Sequence, residues 1–174
     1  MSSFISGNIK RGDILECNFG KYTETLGEDG NPILGDDGKV VFDRNNFDTR
    51  IPNEMRKTRP VLVIGEHKGQ YLVVPISSTE DTHSNARKTG VGRGFHIQLA
   101  NDVIPVTHFY TADVTRWAKA NMVQSVDRYR LSSIYCKKTR SRLNVAVDRT
   151  TLREVQEALI KAIGLPDVLV KNDQ

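Results

Sequence analysis

Cysteine is nearly absent from this chain: Cys17 and Cys136 are the two thiols among 174 residues, too few for a disulfide framework and without metal-ligand spacing. No apolar run reaches membrane-spanning length, and the start MSSFISGNIKRGD lacks the apolar core of a secretory signal. These features predict a soluble cytoplasmic protein with reduced thiols. His67, His83, His96 and His108 show no ligand spacing either, so no metal and no cofactor are expected. Neither a phosphate-binding glycine motif nor a nucleophile elbow is present, which excludes nucleotide-loop and hydrolase-elbow chemistry as first readings.

What is there is one domain's worth of chain with an uneven charge distribution. Residues 1 to 55 hold 6 Lys+Arg against 10 Asp+Glu, and residues 56 to 174 hold 19 against 11. A basic C-terminal two-thirds fits either an anionic partner or a solvated basic face. From Val114 to Arg142 eight basic residues, including Lys137, Lys138, Arg140 and Arg142, face a single acid, Asp127. Trp117, Tyr129 and Tyr135 interleave with them, as base-stacking platforms or as ordinary core and rim aromatics.

Hydrophobic patterning predicts a mainly β domain closed by one helix. Ile9 to Phe19 reads as a half-buried first strand. The apolar β-branched runs Pro60–Ile64 and Tyr71–Ile76, separated by Glu66-His67-Lys68-Gly69-Gln70, predict a hairpin through the core. Phe95, Ile97 and Leu99 alternate with His96 and Gln98, giving another strand. Val103–Tyr110, Val114–Ala118 and Leu143–Val147 are further strand candidates. Thr151 and Glu154 form a capping-box pattern, and Leu152, Val155, Leu159 and Ile163 recur at helical spacing before Gly164 and Pro166, leaving 165 to 174 as a tail.

Two segments break the pattern. Residues 20 to 50 repeat Leu26-Gly-Glu-Asp-Gly30 as Leu34-Gly-Asp-Asp-Gly38, with seven acidic and four basic side chains. They predict a protruding acidic hairpin inserted after the first strand, either an ornament or a movable lid. Thr79 to Gly94 predicts a long mobile loop carrying Arg87, Lys88 and Arg93.

Taken together, Arg11-Gly12-Asp13-Ile14, Glu54-x4-Arg59-Pro60-Val-Leu-Val-Ile64, Val74-Pro75-Ile76-Ser77 and the C-terminal helix resemble the MazF/PemK family of toxin endoribonucleases. The likeness is good over 9 to 19 and 51 to 79, weaker over 110 to 163, and absent over 20 to 50. It implies an SH3-like small barrel, a homodimer without membrane attachment, cleavage of single-stranded mRNA at short sequences without metal, and a cognate antitoxin. The family's loop Glu and Arg match Glu54 and Arg59, and its Ser/Thr after the third strand matches Ser77. An Arg and an Asp used two apart on a later strand of the PemK branch fall on Lys119 and Asn121, a departure that leaves no carboxylate at 121.

Such cleavage uses the neighbouring 2′-hydroxyl as nucleophile, so the site needs a proton acceptor, a proton donor for the leaving 5′-oxygen and a cation on the phosphate. Under the resemblance Glu54 takes the proton, Arg59 clamps the phosphate, Ser77 donates to a phosphate oxygen, and Lys119 adds charge or replaces the donor; His83 is a reserve acid. Arg56, Lys57, Arg87, Lys88, Trp117, Lys137, Lys138, Arg140 and Arg142 are the expected RNA-binding residues. The competing reading is a non-catalytic relative on the same barrel, binding nucleic acid or poisoning gyrase as CcdB does. The chain ends Leu169-Val-Lys-Asn-Asp-Gln174 instead of the Trp-Gly-Ile of the gyrase poisons.

Overall fold

A computed structural model describes residue 5 and residues 8–19, 23–43, 58–79 and 83–169. The chain divides into two compact units, one formed by residues 1–17 with 59–174 and the other by residues 18–58.

The larger unit is built on an antiparallel sheet. Its strands are β1 (Ile14–Asn18), then, after two short strands of the smaller unit, β2 (Thr23–Glu24) and β3 (Phe42–Asp43), β4 (Thr58–His67), β5 (Gln70–Ser77), β6 (His96–Leu99), β7 (Arg116–Lys119), β8 (Gln124–Asp127) and β9 (Leu131–Ser132). The order is β6-β7-β5-β4-β1-β9, with β8 also paired to β5. A separate hairpin joins β10 (Ile134–Cys136) to β11 (Ser141–Leu143), and α1 (Arg149–Ala162) follows. A mainly antiparallel β architecture with one C-terminal helix is therefore what the alternation and the helical spacing produce.

The β4–β5 hairpin is tighter than its polar linker suggests. The strands run through Glu66 and His67 to Gln70, and the turn is Lys68-Gly69, with φ of 48° and 79°. Two successive left-handed residues match the right-handed twist of the strands, and Gly at the second costs nothing. Leu62, Val74, Ile76, Ala118 and Leu99 point to one face, where they join Ile14, Ile104, Ile134 and Val155 in the core.

On its other side β5 changes partner along its length: Gln70–Val73 pair with β8, and Ile76 and Ser77 pair with β7. A 3₁₀ turn, Ala120–Met122, separates β7 from β8. The interruption lies opposite the stretch of β5 that contains Pro75, a residue with no N–H to give a ladder.

Several sequence expectations are corrected. Val103–Tyr110 is a run of turns, not a strand; Pro105 cannot donate to a ladder, and Thr107 takes the amides of Phe109 and Tyr110 on its hydroxyl. The last strand lies earlier than Leu143–Val147, at β11, and Ala146 makes only a single bridge to Asp13. The N-cap of α1 is Asp148, three residues before the N-cap that the capping-box reading gives, Thr151. Its carboxylate accepts from the Thr151 amide at 2.8 Å and the Thr151 hydroxyl at 2.9 Å, and those bonds hold its pKa below the usual carboxylate value. The helix ends as predicted at Gly164, whose φ of 82° lets its amide reach Lys161 O while Leu165 N reaches Ile160 O.

In the smaller unit β2 and β3 pair antiparallel, and the chain between them makes two further arms rather than one long hairpin. Leu26 bridges Pro32, and Leu34 bridges Val40. Asp29 and Asp37 close the arm tips by accepting the amides of Asn31 and Lys39.

Candidate functional site

The register of β4, β5, β6 and β7 sorts the polar candidates from the core. Val61 lies opposite Pro75, where the β4–β5 pairing ends, and Arg59 and Ser77 each lie two residues beyond that pair on the same side of their strands. Ser77 lies opposite Trp117, and Trp117 opposite Gln98. Directly opposed residues share a face, with Cβ atoms about 5 Å apart. Ser77, Trp117 and Gln98 thus form one row across three strands, and Arg59 shares their side of the sheet, the face away from Leu62, Val74, Ile76 and Ala118. Lys119, two residues beyond Trp117, shares that face and lies opposite His96.

Arg59, Ser77, Trp117 and Lys119 are all half-buried, which weakens water's competition for a bound anion. Arg59 and Lys119 both have partners within the protein. The Ser77 hydroxyl accepts from Thr79 N at 3.1 Å, fixing its oxygen and leaving its proton to donate. Asn121 is exposed on the 3₁₀ turn after β7, with its Oδ1 3.0 Å from His96 Nε2. Glu54, Arg56 and Lys57 lie outside the described residues.

The expected RNA-binding residues fall in three places. Arg87 and Lys88 are exposed on a 3₁₀ turn, Ala86–Lys88, capped by Asn85. The loop around them is held by its own bonds: Thr89 Oγ1 donates to Ala86 O, Gly92 N donates to Thr89 Oγ1, and Gly90 O accepts from Phe95 N and His96 N. His83 is exposed, and its Nδ1 accepts the Asn85 amide. Lys137, Lys138 and Arg140 crowd the exposed tip of the β10–β11 hairpin, while Arg142 lies back on the strand and donates to Ser133 O at 3.2 Å.

Two residues of the polar pattern have roles that sequence reasoning missed. Arg116, counted among the basic residues of a possible anion-binding face, is buried; it donates to Thr111 O and Val114 O, and its guanidinium lies 5.9 Å from the Tyr110 ring. Tyr110 in turn donates to Glu16 at 2.9 Å, and burial, then the Glu16 carboxylate, raise its pKa. Arg116 therefore braces the 103–115 turns. His96, which alternation sends to solvent, is 7% exposed, its ring lying on Gly90. The only signal for it in the sequence is a glycine six residues upstream.

Among the described residues no group of three or more His, Cys, Asp or Glu is placed to hold a metal ion. What this face offers chemically is one guanidinium, one ammonium, one hydroxyl and one amide around a surface strip, a donor set suited to a phosphodiester.

A family model described as "PemK-like, MazF-like toxin of type II toxin-antitoxin system" matches residues 40–163. A Haemophilus influenzae protein is 35% identical over 163 residues, covering 93% of this chain and 94% of its own length. YifN of Escherichia coli K12 is 36% identical over 162 residues, with 92% and 95% covered. Among solved structures, MazF from Deinococcus radiodurans superposes with a TM-score of 0.45 at 16% identity, covering 91% of this chain and 99% of that one.

Proposed function

Because the chain belongs to the PemK-like, MazF-like toxins of type II toxin-antitoxin systems, we propose that it is a metal-independent endoribonuclease that cleaves single-stranded mRNA at short sequences. The observation that carries this reading is that Ser77 and Trp117 lie directly opposite each other, with Lys119 two residues on and Arg59 near the start of β4, all on the sheet face opposite Leu62, Val74, Ile76 and Ala118. In this reading Arg59 and Lys119 hold the scissile phosphate, Ser77 donates to one of its oxygens, and Trp117 offers a ring to an adjacent base. Glu54, five residues before Arg59 in the chain, takes the 2′-hydroxyl proton as that oxygen attacks phosphorus. The 5′-oxygen then leaves, giving a 2′,3′-cyclic phosphate and a 5′-hydroxyl.

The family's place in two-component systems makes an antitoxin protein the expected partner and the cytoplasm, where mRNA is, the expected compartment. Among the described residues no helix is long and apolar enough to cross a membrane. Ile163, Leu165 and Val168, all more than half exposed after α1, support a homodimer that covers them.

The test is incubation of the purified protein with single-stranded RNA in EDTA, with mapping of both product ends. Cleavage should persist, and Arg59→Ala should slow it about 10²-fold or more. Activity lost in EDTA and restored by Mg²⁺, or wild-type turnover in Arg59→Ala, would overturn the mechanism.

A further inference from the structure

We infer that His96 is a positioning residue of this site: it holds the Asn121 carboxamide by its oxygen, so that the Asn121 NH₂ group is the donor offered to an oxygen of the scissile phosphate. The inference rests on the ribonuclease reading above and assigns position 121 a role within it.

Four observations converge on this arrangement. His96 is almost fully buried on the face that carries Arg59, Ser77 and Lys119, directly opposite Lys119. Its ring occupies the space beside the Gly90 Cα where any other residue would place a Cβ, so the ring's position depends on that glycine. The backbone around it is fixed, since Gly90 O accepts both Phe95 N at 2.8 Å and His96 N at 3.1 Å. Finally, the turn carrying Asn121 is tied to the start of β6 twice, by Ala120 N to Phe95 O at 2.9 Å and by Asn121 Oδ1 to His96 Nε2 at 3.0 Å.

The chemistry follows from the donor and acceptor inventory of an amide. With Nε2–H donating to Oδ1, what Asn121 can still present is its two Nδ2 hydrogens. A carboxylate here would repel a phosphate; an oriented amide donates to it and carries no charge. Asn121 thus neither takes nor gives a proton, and its contribution is to the negative charge that grows on the phosphate oxygens as the 2′-oxygen bonds to phosphorus. The departure from the carboxylate expected at this position thus leaves 121 a role in charge stabilisation.

The experiment is a double-mutant cycle on cleavage of a short single-stranded RNA containing a site mapped with the wild-type protein, combined with long-range ¹H–¹⁵N NMR of the histidine rings. Asn121→Ala should lower kcat about 10²-fold with little change in KM. Asn121→Asp, which keeps an acceptor for His96 and loses the donor, should be no better. His96→Phe keeps a ring on Gly90 without the N–H and should lower kcat roughly tenfold. Added to Asn121→Ala it should slow the enzyme no further, because His96 acts through Asn121. The NMR spectrum should show His96 protonated at Nε2.

Losses that multiply in the double variant, full activity in Asn121→Asp, or a His96 protonated only at Nδ1 would each overturn the inference. If His96→Phe fails to fold, the Asn121→Asp rate and the wild-type tautomer decide. Wild-type cleavage that Arg59→Ala abolishes and Asn121→Ala leaves intact sinks this inference alone, whereas no cleavage by the wild type sinks the ribonuclease reading and this with it.

Discussion

Gly90→Ala isolates the packing that holds His96, and its sign can be worked out beforehand. Gly90 is absent from the residues with positive φ, so alanine suits its backbone, and stiffening the unfolded chain would by itself stabilise by about 0.4–1 kcal/mol. Against this, the new methyl collides with the His96 ring. Overpacking of this kind costs about 1–3 kcal/mol, and displacing the ring forfeits its hydrogen bond to Asn121, roughly 1 kcal/mol more. The steric loss wins, by about 2 kcal/mol net, which for a chain of this length lowers Tm by about 4–8 °C. Thermal melts followed by circular dichroism, with urea titrations alongside, measure it. Gly65→Ala is the control, since its added Cβ meets only the Leu72 Cβ at 3.6 Å, an ordinary contact. Adding His96→Ala to Gly90→Ala empties the contested space, so the double variant should lose less than the two single losses combined. A Gly90→Ala protein as stable as Gly65→Ala would refute the reasoning.

Two further outcomes are expected. Replacing Lys137, Lys138 and Arg140 together with Gln should weaken RNA binding and flatten the slope of log affinity against log salt, while Arg142 is left in place because it holds Ser133 O; an unchanged slope would make the hairpin tip a plain solvated edge. Replacing residues 24 to 46 with a short Gly/Ser linker should, if the acidic segment is a lid, speed cleavage, tighten RNA binding or relax sequence preference. Unchanged kinetics in a folded protein would dismiss the lid, and lost activity would assign the segment to placing Glu54.

The parts legible in the sequence are those set by local patterning. β4 and β5 follow from β-branched runs around a left-handed Lys68-Gly69 turn, and α1 follows from apolar residues at 152, 155 and 159 ahead of Gly164. The start of α1 lies three residues earlier than the Thr151–Glu154 pattern indicates, because the Asp148 carboxylate accepts the amide and hydroxyl of Thr151 at once. Alternation failed at His96 because it ranks side chains by apolarity, whereas the pocket that takes this ring is made by a glycine from another loop. It also counted Arg116 toward a basic surface, although two turn carbonyls and the Tyr110 ring draw that guanidinium inside. In both cases the determining partner is a backbone group, and backbone groups have no signature in a residue pattern.

The acidic segment makes the same point from the opposite direction, because here the pattern was visible and its consequence was not. Leu26-Gly and Leu34-Gly recur at an interval of eight, which as a hairpin would be a coincidence. In the structure the interval brings Thr25, Ile33 and Val41 to one point, where Thr25 N donates to Val41 O, Val41 N to Ile33 O, and Ile33 N to Thr25 O, each at 2.8–2.9 Å. Three residues spaced by eight close a ring of hydrogen bonds, and β2 with β3 supplies the third arm. Backbone groups that a flat hairpin would leave to solvent are thus paired inside the segment, even though Leu26 and Leu34 remain more than half exposed. The segment pairs these backbone groups within itself, so excising residues 24 to 46 takes those bonds out together, and a thermal melt of the deletion protein separates a change in cleavage that reports on function from one caused by misfolding.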